Sequence, residues 1–216
     1  MLLALLSLLL FAEPEPASME EVLDSAEPYR VREPSRKEVR QVGRDLKLRV
    51  EGDQALRDRY VELLKLSGRP AVQADIQVLR AEILAVDQDN TAALKTYAER
   101  YGWFPRSVWD WRPGWNGWLL VQHADTDPTF QARVLATIAP LVEEGEIGIK
   151  NYAYLYDRVA KNHGVRQRYA TQGRCTSPGI WEPLPLEEPL KVDSLRNEAG
   201  LEPLEDYAVY EAEKCR

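Results

Sequence analysis

Cysteine and histidine are nearly absent: the 216 residues hold two of each. Spaced far apart, they give no zinc-finger pattern. There is no basic tract and the formal charge is −7, which argues against nucleic acid as a partner. The P-loop, GxGxxG and GxSxG strings are all missing, which removes the common phosphate-cradling and nucleophile-elbow signatures. No cofactor motif remains, and none is assigned. Long apolar runs are missing as well. The one at Leu2–Phe11 is too short for a membrane-spanning helix, which needs about 20 residues.

That run suits the apolar region of a signal peptide. Residues 1–12 are read as that signal, with cleavage after Ala12 or as late as Ala17. The mature chain is then expected to be exported, periplasmic or secreted, with no stable membrane span after processing. Residues 13–38 carry four prolines and eight acids against four bases. Such a segment gains little from burial to offset its chain entropy, so it reads as an acidic, proline-rich tether. Residues 39–216 suit one domain with a single core. In an oxidising compartment Cys175 and Cys215 can pair. The closed loop of about 40 residues would be worth roughly 4 kcal/mol in the chain-entropy model; two unpaired thiols are the alternative.

The domain reads as mainly α, a single compact helical fold with at most a small β-hairpin in its C-terminal third. Leu56, Tyr60, Leu63 and Leu64 fall at helical spacing and stop at Gly68. Ile76, Leu79, Ile83 and Val86 make a second stripe. Asn90 is placed as the N-cap of a further helix that Gly102 ends. Pro105, Pro113, Gly114 and Gly117 are expected to interrupt any helix before Trp118. Trp118–Ala124 then reads as a short helix. Asp127-Pro128 starts the next, an Asp cap followed by Pro at the first helical position. Tyr152, Leu155, Tyr156 and Val159 mark another, ending near Gly164. A strand pair is expected near Trp181, then short helices around 192–198 and 204–214.

Five of the six tryptophans lie between Trp103 and Trp118. Trp103 and Trp118 are assigned to the core. Trp109 and Trp111, on a proline-bounded stretch, are the candidates for an exposed ligand-binding loop, because aromatic faces stack on sugars or peptide side chains. Directly after them come polar strings: WLLVQHAD at 118–125, DPTFQ at 127–131, AYLYDRV at 153–159 and QRYATQ at 167–172.

Those strings, with GWFPRS at 102–107, VDxxN at Asp87 and Asn90, and the tail VDSLRNEAGLEPL, resemble an uncharacterised bacterial family of unknown function. Its members carry GWP-x-RS, QHAD, DR and QRYGTQ strings. The likeness covers roughly residues 54–207. It implies a shared fold and brings no activity. Ala170 stands where the family usually has Gly; if that position takes a positive φ, Ala costs roughly 1 kcal/mol.

His123 is the candidate general base, oriented by Asp125, Asp127 or Asp157. The plainer alternative is a packed histidine satisfied by local groups. Asp157 is the tentative catalytic carboxylate. Arg158 is the candidate anion clamp through its planar fork. Gln167, Tyr169 and Gln172 are candidate ligand contacts, or else a buried loop satisfying its own backbone. The H-x-D-x-D spacing of His123, Asp125 and Asp127 can hold a metal, but Asp127 already has work as a cap, so no metal is assigned. His123, Asp157, Arg158, Gln167, Tyr169 and Gln172 are expected to converge on one concave site. Two functions follow. One is an exported binding module for a small molecule, glycan or peptide. The other is a hydrolase using His123 as base and Arg158 as clamp. A histidine held by a carboxylate and open to a cleft would favour the second.

Overall fold

A computed structural model describes residues 18–66 and 68–215. The signal peptide expected at 1–12 lies outside them. The described residues form nine α-helices and one small antiparallel sheet. No described helix is long and apolar enough to cross a membrane.

The expected tether is corrected over its described part. Ser18 and Ser35 each open a capping box, with Glu21 and Glu38 as the reciprocal partners. They start α1 (Met19–Asp24) and α2 (Arg36–Leu64). Met19, Val22, Ala26 and Tyr29 are buried in the main core, and the Tyr29 amide donates to Thr137 Oγ1 at 2.8 Å. Four apolar anchors outweigh the acidic composition around them.

α3 (Pro70–Tyr101) packs antiparallel to α2 and spans about 48 Å at 1.5 Å per residue. The expected cap at Asn90 is overturned, because α3 runs through it without a break. Asn90 is buried mid-helix and accepts from Arg49 of α2 at 3.1 Å. Gly102 ends α3 at φ 79°.

α4 (Arg106–Trp109) and α5 (Trp111–Gln122) also depart from expectation, since α5 contains Pro113, Gly114 and Gly117. Pro113 sits in the first turn, where its missing N–H would have no helical partner. The two glycines are small for a packing reason: a Cβ on Gly117 would come within 2.7 Å of the Phe104 ring. α5 thereby presses against the 103–104 segment and against α2 and α3.

α6 (Pro128–Glu143) begins as expected, with Asp127 accepting from the Phe130 amide at 3.0 Å. α7 (Ile149–His163) packs along it and ends at left-handed Gly164. β1 (Gly173–Ser177) and β2 (Ile180–Pro183) form the expected hairpin around Trp181, with a register shift between Cys175 and Ser177. α8 (Val192–Glu198) and α9 (Leu204–Ala212) close the chain. Cys175 and Cys215 form a disulfide with Cα atoms 5.4 Å apart, tying the hairpin to the C-terminal segment.

Candidate functional site

Val42, Leu46, Val50 and Asp53 are the buried residues of α2. Their spacing of four, four and three places a carboxylate on the apolar face of the helix. Asp53 is 1% exposed. Its Oδ1 lies 3.2 Å from Nδ1 of His123, the residue that ends α5. The same oxygen accepts from Arg57 Nε at 3.0 Å, and Oδ2 accepts from Gln54 Nε2 at 2.7 Å. Arg57 then reaches across to Asp87 Oδ1 on α3. A chain of charge-assisted bonds thus crosses α5, α2 and α3. Burial alone would push the Asp53 carboxyl up. The His123 bond and charge, with Gln54 and Arg57, outweigh it and hold the group at about 2. At Asp87 burial prevails over Arg57 and the carboxyl is raised.

His123 and Arg158 converge, lining one cleft of about 230 Å³ together with Arg57, Arg80, Asp87, Asp125 and Thr126. Arg158 projects from α7 and grips Asp125 as a fork, Nε to Oδ1 and Nη2 to Oδ2, both at 2.8 Å. Its Nη1 donates to Gln172 Oε1 at 3.1 Å. Asn162, one turn later on α7, adds a bond to Asp125 Oδ1 and another to Gln131. Burial opposes ionisation of Asp125, but Arg158 and Asn162 together lower its pKa. Arg158 is therefore already committed to a carboxylate. Arg80 has no carboxylate within 4 Å among the described residues; its Nε donates to Tyr60 Oη at 2.8 Å.

The remaining candidates divide. Asp157 does not face the cleft. It is fully buried and accepts from the amides of Arg168, Tyr169 and Thr171 and from the Thr171 hydroxyl. Gln167 is likewise internal: its Nε2 donates to the carbonyls of Gln172 and Leu184, and its Oε1 accepts from the Gln172 amide. Tyr169 is buried with its ring edge-on to Tyr156. All three serve the fold of the 167–172 loop: Asp157 accepts from three of its amides, and Gln167 bonds the Gln172 backbone at its end and the Leu184 carbonyl beyond it. Gln172 is the loop residue that meets the cleft wall, through Arg158. Ala170 adopts φ 54°, the left-handed conformation that the family's Gly implied.

The tryptophans divide too. Trp109, expected to be exposed, is buried edge-on against Tyr101 and Phe104. Trp111 is exposed as expected. Trp103 is core, and half-buried Trp118 donates to the Asn151 carbonyl at 2.8 Å.

The family model of DUF6624, a family of unknown function, matches residues 41–213. The chain belongs to that family. No curated protein and no solved structure matches it.

In this DUF6624 chain the H-x-D-x-D string does not gather into a metal site. Asp127 caps α6, Asp125 pairs with Arg158, and His123 turns to Asp53. Among the described residues, the group that can offer a metal three ligand atoms is Asp53, Asp87 and His123, with those atoms all within 4.8 Å of one another. Arg57 bonds both of those carboxylates, so a guanidinium already supplies the positive charge that an ion would bring. Asp53, Arg57 and Arg80 were not among the residues singled out from sequence, and Asp87 was noted only within the VDxxN string, without a role at the site. The one legible signal was the acid on an otherwise apolar stripe of α2.

Proposed function

We propose that the His123 cleft is a hydrolytic site in which His123 activates water as a general base. The observation that carries this is the Asp53–His123 pair at 3.2 Å, with the ring at the cleft wall. With Nδ1 held by a buried carboxylate, Nε2 is the nitrogen left to take a proton. Asp53 fixes the ring orientation, as the buried carboxylate of a catalytic triad does. Water as the nucleophile also accounts for a site without a conspicuous serine or cysteine. Arg80 takes the anion-binding part first given to Arg158, since Arg158 is held by Asp125. The substrate is then small and carries an anionic group.

The Cys175–Cys215 disulfide supports export, because disulfides persist in oxidising compartments. A purely binding role would leave the Asp53–His123 pair without chemical work, so catalysis is preferred here. The test is a panel of chromogenic carboxyl and phosphate esters, some with a second anionic group. The wild type should hydrolyse at least one above the blank. His123→Ala should lose about 100-fold or more in kcat, and Arg80→Ala should mainly raise KM. A panel that stays at the blank rate, or His123→Ala retaining full rate, would sink the proposal.

A further inference from the structure

A second hollow lies away from the His123 cleft, at the start of α5. It encloses about 240 Å³ and is floored by Trp103, Phe104 and Trp118, with Trp111 and Trp115 at its wall. Trp111 and Trp115 are 56% and 41% exposed. Placed i and i+4 on one helix, they share a face. Large aromatics left in water beside a recess are a departure from ordinary surface composition. The rim is polar and of mixed sign, with Arg106, Asp110, Glu146 and Asn151.

The local backbone holds this arrangement at a cost. Asp110 adopts φ 66° and ψ 170°, a region essentially confined to glycine and costing about 1–3 kcal/mol. That conformation lets α4 end and α5 begin at the next residue, so that Trp111 stands at the first helical position. Arg112 lies 5.3 Å from the centre of the Trp111 ring and braces it. Arg106 has no carboxylate within 4 Å among the described residues, so its guanidinium keeps donors for another partner.

We propose that this hollow is a saccharide-binding subsite that takes one neutral pyranose ring at a time. Its volume is below the roughly 300 Å³ at which sites for drug-sized ligands begin, so it suits a single ring. A pyranose offers apolar C–H faces to the indoles and hydroxyls to the rim. Mixed rim charge matches a neutral polyol better than an anion or a cation. The proposal is independent of chemistry at His123.

The test is titration of the folded protein with chitotriose and with maltotriose, followed by tryptophan fluorescence and by calorimetry. A proline-rich peptide serves as the competing class. One or both sugars should quench or shift the emission and bind. Trp111→Ala and Trp115→Ala should each weaken that binding roughly tenfold, with unchanged circular dichroism and thermal midpoint because both side chains are exposed. His123→Ala should bind as the wild type does. Failure of both sugars to bind at millimolar concentration, equal binding by the tryptophan variants, or binding of the peptide alone would each overturn the proposal.

Discussion

Replacing Asp53 by asparagine removes one charge from the centre of the His123–Asp53–Arg57–Asp87 chain and leaves the shape intact. Asp53 is buried and accepts from Arg57 and Gln54 while facing His123. A carboxyl held at about 2 instead of 3.8 contributes roughly 2 kcal/mol to stability at neutral pH. The sign follows from the depressed pKa. The contribution is complete above pH 4 and is lost as pH falls through the folded value, with roughly half gone by pH 3. Urea denaturation of wild type and Asp53→Asn at pH 7, 5, 4 and 3 measures it. The variant should be about 2 kcal/mol less stable at pH 7 and 5, with the gap narrowing at pH 3 and the m-value unchanged. In a double-mutant cycle with His123→Ala, the two losses should fall short of adding, because the partners share one interaction. A gap under about 0.5 kcal/mol at pH 7, or one that stays constant down to pH 3, would refute this account of the pair.

Asp157→Ala should cost about 3 kcal/mol or more in denaturant, because three amides and a hydroxyl lose their shared acceptor; a loss below 1 kcal/mol would contradict its structural role. Ala170→Gly should stabilise the domain by up to about 1 kcal/mol by relieving the positive φ, read as a rise in the urea midpoint. Cys175→Ser with Cys215→Ser should lower stability by up to roughly 4 kcal/mol, and reductant should destabilise the wild type but leave the double variant unchanged.

Elements with strong local punctuation were legible. Asp127-Pro128 started α6, Gly102 and Gly164 ended α3 and α7, and the hairpin formed around Trp181. Elements decided by tertiary packing were not. Gly114 and Gly117 look like helix breakers until Phe104 is seen resting against them. Asn90 looks like a cap until Arg49 reaches it from the neighbouring helix. The prolines and acids of 13–38 concealed two S-x-x-E capping boxes, which were there to be read. Of the residues picked from their strings, His123 and Arg158 line one cleft, and Gln172 reaches it only through its bond to Arg158. Asp53 lies 70 residues from His123 in sequence, and only the packing of α2 on α5 joins them. Asp157 and Gln167 were found but given the wrong work, since a polar string has the same appearance whether it faces water or folds back on its own backbone.

The loop at 167–172 has a further consequence. Converging backbone N–H groups form the kind of concavity that binds phosphate or sulfate from solution. Here the acceptor is supplied covalently by the Asp157 carboxyl, 11 to 14 residues earlier in the chain. Tethering gives it an effective concentration far above that of any buffer ion, so the concavity is filled as soon as α7 and the loop meet. The loop is thus a binding site that carries its own ligand. Cutting that side chain back to glycine would turn an internal contact into a vacant receptor for formate, and the loop's order would then depend on what is dissolved around it.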